Sequence, residues 1–420
     1  MVTWLQNHVV ALLRWSERYT KTDMVYLASG GFWLVLEQMA GMLLSFALAI
    51  AFGHFASKDL YGNYKYILSL AGILSAVSLS GLGDAMGQSV TKGFDGVLMQ
   101  SFRLQLRWSL PFVFATLATS CYYFWIAQNE FVAGSLIIVA LLQPLLSSVS
   151  YFAGFFYAQK DFVRGSLYSI GMNALTFLAL LSALFLGERA IILVGTYFAA
   201  KTLFTAYGFW KAYTHRRNDT EDTSLFGFSA HLSAMNVIGA IADKIDSVII
   251  FTLLGPAQLA TYAFAIAMPE QLKGVMKNLY GLALPKFAER TFAEIRDGLK
   301  KKAVLISVLL GIAICAYILA APYLFAALFP LYMEAVPYSQ WYATSILLAG
   351  LPPVIIAAFT AHKKTRALYL SNNVPSFILI LALVLLVPLF GLVGAIASQI
   401  IFRLAIFGVT MTLLFRMRAE

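Results

Sequence analysis

The sequence predicts an all-α polytopic membrane protein with twelve transmembrane helices, arranged as two parallel six-helix repeats around a central cavity. Of its 420 residues, 60% are hydrophobic and only 12% are charged, whereas soluble domains are about 25% charged. The apolar residues form runs long enough for membrane helices, which need about 20 residues each. The two halves of the chain also share sequence features. This composition excludes a soluble enzyme, a disordered chain and a disulfide scaffold.

The elements follow one another with short connections. Residues 1–24 mix tryptophan and leucine with charged residues, which predicts an amphipathic segment along the cytoplasmic interface. Polar, glycine or proline residues then separate the predicted spans. These cover residues 25–52, 64–90, 108–128, 131–158, 166–187, 190–211, 226–254, 260–285, 303–329, 338–360, 367–388 and 393–415.

The distribution of basic residues predicts the orientation. Of the 30 lysines and arginines, 22 fall on the side that carries both termini, three on the other side and five within spans. Lys58, Lys65 and Arg189 are the three assigned to the outer side. Because cytoplasmic loops are enriched in Lys and Arg, both termini are predicted to be cytoplasmic.

An internal repeat predicts the domain organisation. Tyr64 aligns with Tyr262 at an offset of 198 residues, and Lys201 aligns with Arg403 at an offset of 202. Each predicted lobe has six spans. Because six is an even number of membrane crossings, both lobes begin on the same side of the membrane and form a parallel repeat. The predicted domains are the segment 1–24, an N-terminal lobe 25–211, a cytoplasmic linker 212–225 and a C-terminal lobe 226–420.

Motifs of soluble enzymes are absent from the sequence, including those for nucleotide binding, zinc proteases and serine hydrolases. We therefore predict no enzyme activity, no catalytic residue, no cofactor and no metal. The basic residues are scattered between apolar runs instead of forming a patch, so no nucleic-acid partner is expected. Cys121 and Cys315 lie within apolar runs and are predicted to be packing residues.

Charges at membrane depth are the main functional signal, because they are costly there unless they pair or line a wet cavity. Counting about 1.5 Å per residue from the predicted helix ends places eight of them in the middle of the bilayer. They are Glu37, Lys201, Asp243, Lys244, Asp246, Glu270, Lys273 and Arg403. Ion pairs that merely hold helices together are one interpretation. A hydrated cavity for an anionic, sugar-rich cargo and a coupling cation or proton is the other.

Four segments of the sequence carry recognisable motifs. They are residues 52–93 with a Gly-Leu-Gly ending of span 2, residues 236–272 with an aspartate-containing span 7, residues 328–350 with an Ala-Val-Pro signature before span 10, and residues 361–369 with a basic loop before span 11. In this order they resemble the polysaccharide or oligosaccharide flippases, the Wzx-like exporters of O-antigen and teichoic acid within the multidrug/oligosaccharidyl-lipid/polysaccharide exporter superfamily.

The resemblance implies alternating-access transfer of a polyprenyl-diphosphate-linked oligosaccharide to the outer leaflet of the cytoplasmic (inner) membrane, driven by an ion gradient. Other membrane proteins of polysaccharide assembly are expected partners, beside the lipid-linked substrate and the bilayer. The cavity cations for the diphosphate would be Lys201, Lys273, Arg403 and Lys244. Ion or proton coupling would fall to Glu37, Asp243, Asp246 and Glu270.

Two alternatives remain open. A multidrug/cation antiporter of the same superfamily would use the acids for a coupling ion and a cationic drug. A membrane-embedded glycosyltransferase or polymerase would need acids facing the outside and usually a long outer loop. The outer loops here are short, which disfavours the enzyme.

Overall fold

The computed structural model describes residues 24–187, 189–271, 292–362 and 364–416, with side chains described from 30 onward in the first helix and from 306 onward after the second gap. The described residues form helices and no β-strand. The helices are α1 Met24–Phe55, α2 Lys58–Ser75, α3 Leu82–Thr91, α4 Val97–Trp108, α5 Leu110–Trp125, α6 Glu130–Val149, α7 Phe152–Ala158, α8 Phe162–Leu186, α9 Ala190–Thr214, α10 Leu225–Leu254, α11 256–271, α12 Phe292–Leu328, α13 Val336–Ala349, α14 Pro352–Ala361 and α15 Thr365–Arg416. A 3₁₀ helix, Pro330–Ala335, precedes α13.

Local sequence explains where several helices begin. The side chains of Ser57, Asn129 and Asp161 each accept a hydrogen bond from a backbone N–H in the first turn of the helix that follows. Such caps satisfy donors that have no partner within the helix. Seven helical segments among the described residues are long and apolar enough to cross a membrane.

The longest of these segments, α15, contains two spans because it turns at Gly391, where the backbone adopts φ 58° and ψ −133°. A Cβ on Gly394 would lie only 2.1 Å from the carbonyl oxygen of Leu386. Residues eight apart in a continuous helix are separated by about 12 Å along its axis. The chain therefore reverses direction at Gly391, between the predicted spans 11 and 12.

Span 2 is broken, which corrects the prediction of one helix over residues 64–90. The helix begins earlier, at Lys58, and is interrupted after Ser75. A second helix resumes at Leu82, so the predicted span consists of α2 and α3. At the break, the hydroxyls of Ser75 and Ser78 donate to backbone carbonyl oxygens at 2.7 and 2.6 Å, and Ser233 accepts a hydrogen bond from the N–H of Gly81 at 2.9 Å. Side-chain bonds of this kind compete with the helical ladder, and the contact with α10 fixes the break in place.

The α2–α10 seam is the long contact between α2 and α3 of the first half and α10, together with the start of α11, of the second half. At its outer end, a Cβ on Gly62 would lie 1.9 Å from the carbonyl oxygen of Pro256. Further in, a Cβ on Gly72 would lie 3.3 Å from the side chain of Lys244. Gly81 meets α10 near the other end. Small residues thus allow the two halves to approach closely along the whole seam.

The two halves also meet on the predicted outer face beyond this seam. A Cβ on Gly53 of α1 would lie 2.7 Å from the ring of Phe329, and Phe46 packs edge-on against the same ring, at 6.2 Å between centroids. The largest buried apolar cluster contains residues of both halves in this region. The two halves are therefore in direct contact on the predicted outer face.

Residues 212–225, predicted as a linker, contain a segment that is docked on the first half. Asn218 donates from its side-chain amide to the carbonyl oxygen of Gly93 and accepts from the N–H of Asp95, at 3.0 and 3.1 Å. The buried carboxylate of Asp95 accepts from the N–H of Arg217 at 2.7 Å and from Gln159 at 2.9 Å. The linker is thus held to the ends of two different spans.

Asp222 makes a second set of contacts in this docked linker. Its backbone exchanges two hydrogen bonds with the side chain of Gln100, at 2.9 and 3.1 Å. Its carboxylate accepts from the hydroxyls of Ser224 and Ser89 at 2.6 and 2.7 Å. These bonds, that of Ser224 first, lower the pKa of Asp222. The start of α10 is therefore tied to the first half.

Candidate functional site

The polar groups at mid-depth lie between the two halves, but they do not form a single cluster. Lys201 lies in the first half, on α9. Asp246, Glu270 and Arg403 lie in the second half, on α10, α11 and α15. Lys273 lies outside the described residues, as does most of the predicted segment 1–24.

Asp246 is a buried acid that neutral donors hold in place. Its Oδ2 accepts from the hydroxyl of Tyr262 at 2.7 Å and from the side-chain amide of Gln399 at 3.1 Å. Its Oδ1 accepts from the backbone N–H of Ser247 at 2.6 Å. Hydrogen bonds to both oxygens are what a charge away from bulk water requires.

Arg403 is buried and paired. Its Nη2 lies 2.5 Å from Glu270 Oε1 and from the hydroxyl of Tyr342, and that hydroxyl also donates to Glu270. The guanidinium lies 4.8 Å from the centroid of the Tyr342 ring. Its Nε has no hydrogen-bond partner in the described part of the chain. The side chain of Glu270 is 31% exposed and that of Arg403 only 4%, so the acid is the more accessible partner of the pair.

Lys201 is a cation without a neighbouring acid. Its Nζ donates to the hydroxyl of Tyr197 at 3.2 Å and lies 5.2 Å from that ring's centroid. Among residues 24–187, 189–271, 292–362 and 364–416, no carboxylate lies within ion-pair distance of it. This charge is therefore available to an anion.

Lys65 was missed by the sequence analysis, which placed it on the outer side. It is half-buried in α2 and directly follows Tyr64, whose ring meets that of Tyr197 edge-on at 6.1 Å between centroids. The helix begins at Lys58, so Lys65 lies two turns inside it. The Ser57 cap before the helix was the sequence signal that could have placed this lysine correctly. Tyr197 thus contacts both Lys201 and Tyr64, the residue that precedes Lys65.

Corresponding residues of the two halves form similar arrangements. In the first half, the rings of Tyr64 and Tyr197 meet edge-on at 6.1 Å, and Tyr197 contacts Lys201. At the positions related by the predicted repeat, Tyr262 and Gln399 both contact Asp246, and Arg403 lies one turn after Gln399. The main difference is charge, because Arg403 has a carboxylate partner and Lys201 has none in the described residues.

The remaining predicted residues lie apart from this group. Glu37 accepts a hydrogen bond from the hydroxyl of Tyr157 within the first half. Asp243 and Lys244 are exposed, and the stem of Lys244 lies beside Gly72 on the seam. Within the described ranges, no group of three or more His, Cys, Asp or Glu side chains is placed to hold a metal ion.

Together, these features define a multi-pass helical membrane protein whose two halves enclose charged groups. Solved transporters share this fold. An inward-facing multidrug resistance MATE family transporter of the MOP superfamily matches with a TM-score of 0.69 and 13% identity, over 90% of this chain and 96% of the other. Its outward-facing conformation matches with a TM-score of 0.66 and 12% identity, over 92% and 94%. The lipid II flippase MurJ, in an inward closed conformation, matches with a TM-score of 0.60 and 12% identity, over 91% and 87%.

The family follows from the sequence itself. A family model described as "Polysaccharide biosynthesis protein" matches residues 27–268, more than half of the chain. The chain belongs to this family, which confirms the predicted family resemblance, and the shared architecture confirms the all-α polytopic fold. A comparison with curated protein sequences gives no significant match.

Proposed function

We propose that this protein is an alternating-access flippase that moves a polyprenyl-diphosphate-linked oligosaccharide from the cytoplasmic to the outer leaflet of the cytoplasmic membrane, driven by an ion gradient. In this proposal both termini are cytoplasmic, and the protein works beside other membrane proteins of polysaccharide assembly. The family described as polysaccharide biosynthesis proteins and the fold shared with transporters support this assignment.

The observation that carries the proposal is Lys201, which has no acid partner among the described residues and donates to Tyr197. The ring of Tyr197 meets that of Tyr64, and the half-buried Lys65 is the next residue along α2. A diphosphate would satisfy both charges, because charge-assisted hydrogen bonds to phosphate oxygens are among the strongest available. Tyr197 would add a hydroxyl donor beside Lys201.

The paired state of Arg403 changes its expected role. An arginine that already binds Glu270 cannot contact a diphosphate without giving up that carboxylate. We therefore place Lys201 and Lys65 first in diphosphate binding, with the exposed Lys244 as a further contact and Lys273 as a candidate beyond the described residues. Arg403 remains a candidate only where Glu270 is displaced.

Glu37, Asp243, Asp246 and Glu270 stay our candidates for ion coupling. Asp243 is exposed, whereas Asp246 is buried and fully hydrogen-bonded. An exposed acid exchanges an ion or a proton with the interior without breaking such a network. We therefore expect replacement of Asp243 by Asn to affect gradient-driven transfer more than passive transfer.

The test is flipping in liposomes that contain the purified protein and a fluorescent polyprenyl-diphosphate oligosaccharide. Loss of one charged hydrogen bond costs about 1.5–3 kcal/mol, so Lys201→Gln should slow flipping by about 10-fold or more. Lys65→Gln should do the same. Lys211→Gln is the matched control, because Lys211 lies at the other end of α9 against Tyr207 and Trp210.

Equal flipping rates for the wild type, Lys201→Gln and Lys65→Gln would contradict the assigned site. A wild type that transports a cationic dye and leaves the glycan lipid in place would instead favour the multidrug/cation antiporter.

A further inference from the structure

The linker is bonded to the first half through both backbone and side-chain contacts. Gly96 lies so close to it that a Cβ on this glycine would be 2.3 Å from the carbonyl oxygen of Asp219. Arg103 of α4 forms an ion pair with Glu221. Together with the hydrogen bonds of the docked linker described above, these contacts fix it against the ends of α3 and α4.

The first turns of α10 pack on the same half. Leu225 is 1% exposed, and every other buried residue of its apolar cluster comes from the part of the chain between α2 and the end of α9. Phe226 stacks on Trp108 of α4 at 5.1 Å between ring centroids. The hydroxyl of Ser233 accepts a hydrogen bond from the N–H of Gly81 at 2.9 Å. The start of α10, as far as Ser233, is therefore held by the first half.

The far end of α10 is bonded to the second half. Asp246 accepts from Tyr262 of α11 at 2.7 Å and from Gln399 of α15 at 3.1 Å. This end also touches α2, where Phe251 stacks on Tyr66 at 3.7 Å between ring centroids. Separating the two rings leaves no charge unpaired, whereas pulling Asp246 away from its donors would strand a buried carboxylate. The end of α10 therefore stays with the second half when the halves separate.

The segment of α10 between these two attachments is loosely held. From residue 234 to residue 241, no side chain is buried and none forms a hydrogen bond or ion pair with any residue that the structure describes. Gly239 lies in this segment, and a Cβ on it would meet nothing within 4 Å. Glycine weakens a helix interior, and regions with few buried contacts deform at the lowest cost.

We propose that the boundary between the two moving bodies lies inside α10, at residues 234–241, and not in the linker. Residues 217–233 then move with the first half, and the remainder of α10 moves with the second. The linker is a fixed part of the first half that anchors the bend, although its polar sequence is typical of a flexible tether. This inference rests on the proposed function only for the cargo by which flipping is measured.

Two cross-links of the same kind test the boundary. Arg103→Cys with Glu221→Cys ties the linker to α4, and Lys58→Cys with Glu334→Cys ties α2 to the 3₁₀ helix of the second half. Each pair replaces an ion pair that solvent reaches. The two native cysteines are first replaced by Ser. A short bis-methanethiosulfonate reagent then joins each pair in proteoliposomes, and mass spectrometry measures the cross-linked fraction.

The boundary predicts opposite effects of the two cross-links on flipping of the fluorescent glycan lipid. Before cross-linking, both double variants should flip within about twofold of the wild-type rate, because exposed ion pairs are weak. Afterwards the Arg103–Glu221 cross-link should leave the rate unchanged, whereas the Lys58–Glu334 cross-link should lower it about tenfold or more, because the halves must separate there. Loss of flipping with the Arg103–Glu221 cross-link would overturn the fixed linker.

Double electron–electron resonance tests the same boundary without any cargo. One spin label is attached at Glu221→Cys in the linker, and the second at the outer end of either half, at Trp125→Cys or Leu389→Cys, whose side chains are 75% and 72% exposed. Gly62→Ala separates the halves, because its Cβ would lie 1.9 Å from the carbonyl oxygen of Pro256.

The distances from the linker to the first half should be narrow and identical in the wild type and in Gly62→Ala, whereas those from the linker to the second half should change. A broad or shifted Glu221–Trp125 distribution would overturn the fixed linker. A wild type that leaves the glycan lipid in place would contradict the proposed cargo, and these distances would still decide where the boundary lies.

Gly239→Ala tests the bend itself, and Gly227→Ala is its matched control. Both glycines lie in α10, and a Cβ on either would meet nothing within 4 Å, but Gly227 lies in the part that moves with the first half. Alanine favours a regular helix over glycine, so Gly239→Ala should slow flipping by about four- to fivefold. Gly227→Ala should flip at the wild-type rate. Equal rates in the two variants would overturn the bend at residues 234–241.

Discussion

Replacing Gly62 by Ala tests how closely the halves must approach on the outer side. The new Cβ would lie 1.9 Å from the carbonyl oxygen of Pro256 and 2.5 Å from its carbonyl carbon. Ordinary contact begins at about 3.4 Å, so the halves would have to separate locally by about 1.5 Å. Backbone atoms on both sides leave no flexible side chain to move aside.

We expect Gly62→Ala to destabilise the closed outer side while it leaves the open state unaffected. Overpacking costs about 1–3 kcal/mol, which corresponds to an increase of about 5- to 150-fold in the ratio of open to closed molecules. Double electron–electron resonance between spin labels at Ile126→Cys and Leu389→Cys, both 72% exposed on the predicted outer side, reports this shift after Cys121 and Cys315 are replaced by Ser. Flipping in liposomes should slow because the cycle needs both states. Gly171→Ala is the control, because its Cβ would meet nothing within 4 Å. Identical distance distributions in Gly62→Ala and the wild type would refute the close approach.

Three further predictions concern stability. Arg403→Gln should lower the free energy of unfolding by about 1.5–3 kcal/mol, because it removes a charge-assisted hydrogen bond between the buried guanidinium and Glu270, and Glu270→Gln added to it should recover part of the loss in thermal unfolding. The pKa of Asp222 is lowered, first by the hydroxyl of Ser224. The stabilisation that its carboxylate provides should therefore be complete above the unfolded-state pKa and should be lost as the pH falls through the lower folded-state pKa. Asp222→Asn should remove this loss of stability at low pH. Lys160 has φ 66°, which costs a residue with a Cβ about 1–2 kcal/mol, so Lys160→Gly should raise the melting temperature; an unchanged or lower value would contradict this.

Hydropathy predicted the helices well, because a membrane span must be long and apolar wherever it lies. It predicted the second span less well. The stretch from Lys58 to Tyr64 is polar enough to resemble a loop, yet Ser57 caps a helix that starts there and carries Lys65 inward. The position of one cap therefore decided whether a lysine was assigned to the outer side or to the interior.

The pairing of charges could not be predicted from the sequence. Arg403 and Glu270 are 133 residues apart, and only the packing of α11 against α15 brings them together. The polar sequence of residues 212–225 is typical of a loose connection between lobes. Its ordered state depends on partners such as Gln100 and Asp95, which the local sequence does not reveal.

The α2–α10 seam has a consequence for the sidedness of access. It is closed from Gly62 at one end to Gly81 and the docked linker at the other. For the lipid-linked cargo that we propose, the head group cannot pass between helices packed this closely while the tail stays in the lipid. Lateral entry from the bilayer would therefore have to avoid this seam. Our candidate for that entry is the surface of α1, which exposes apolar side chains such as Phe32, Met39 and Leu43.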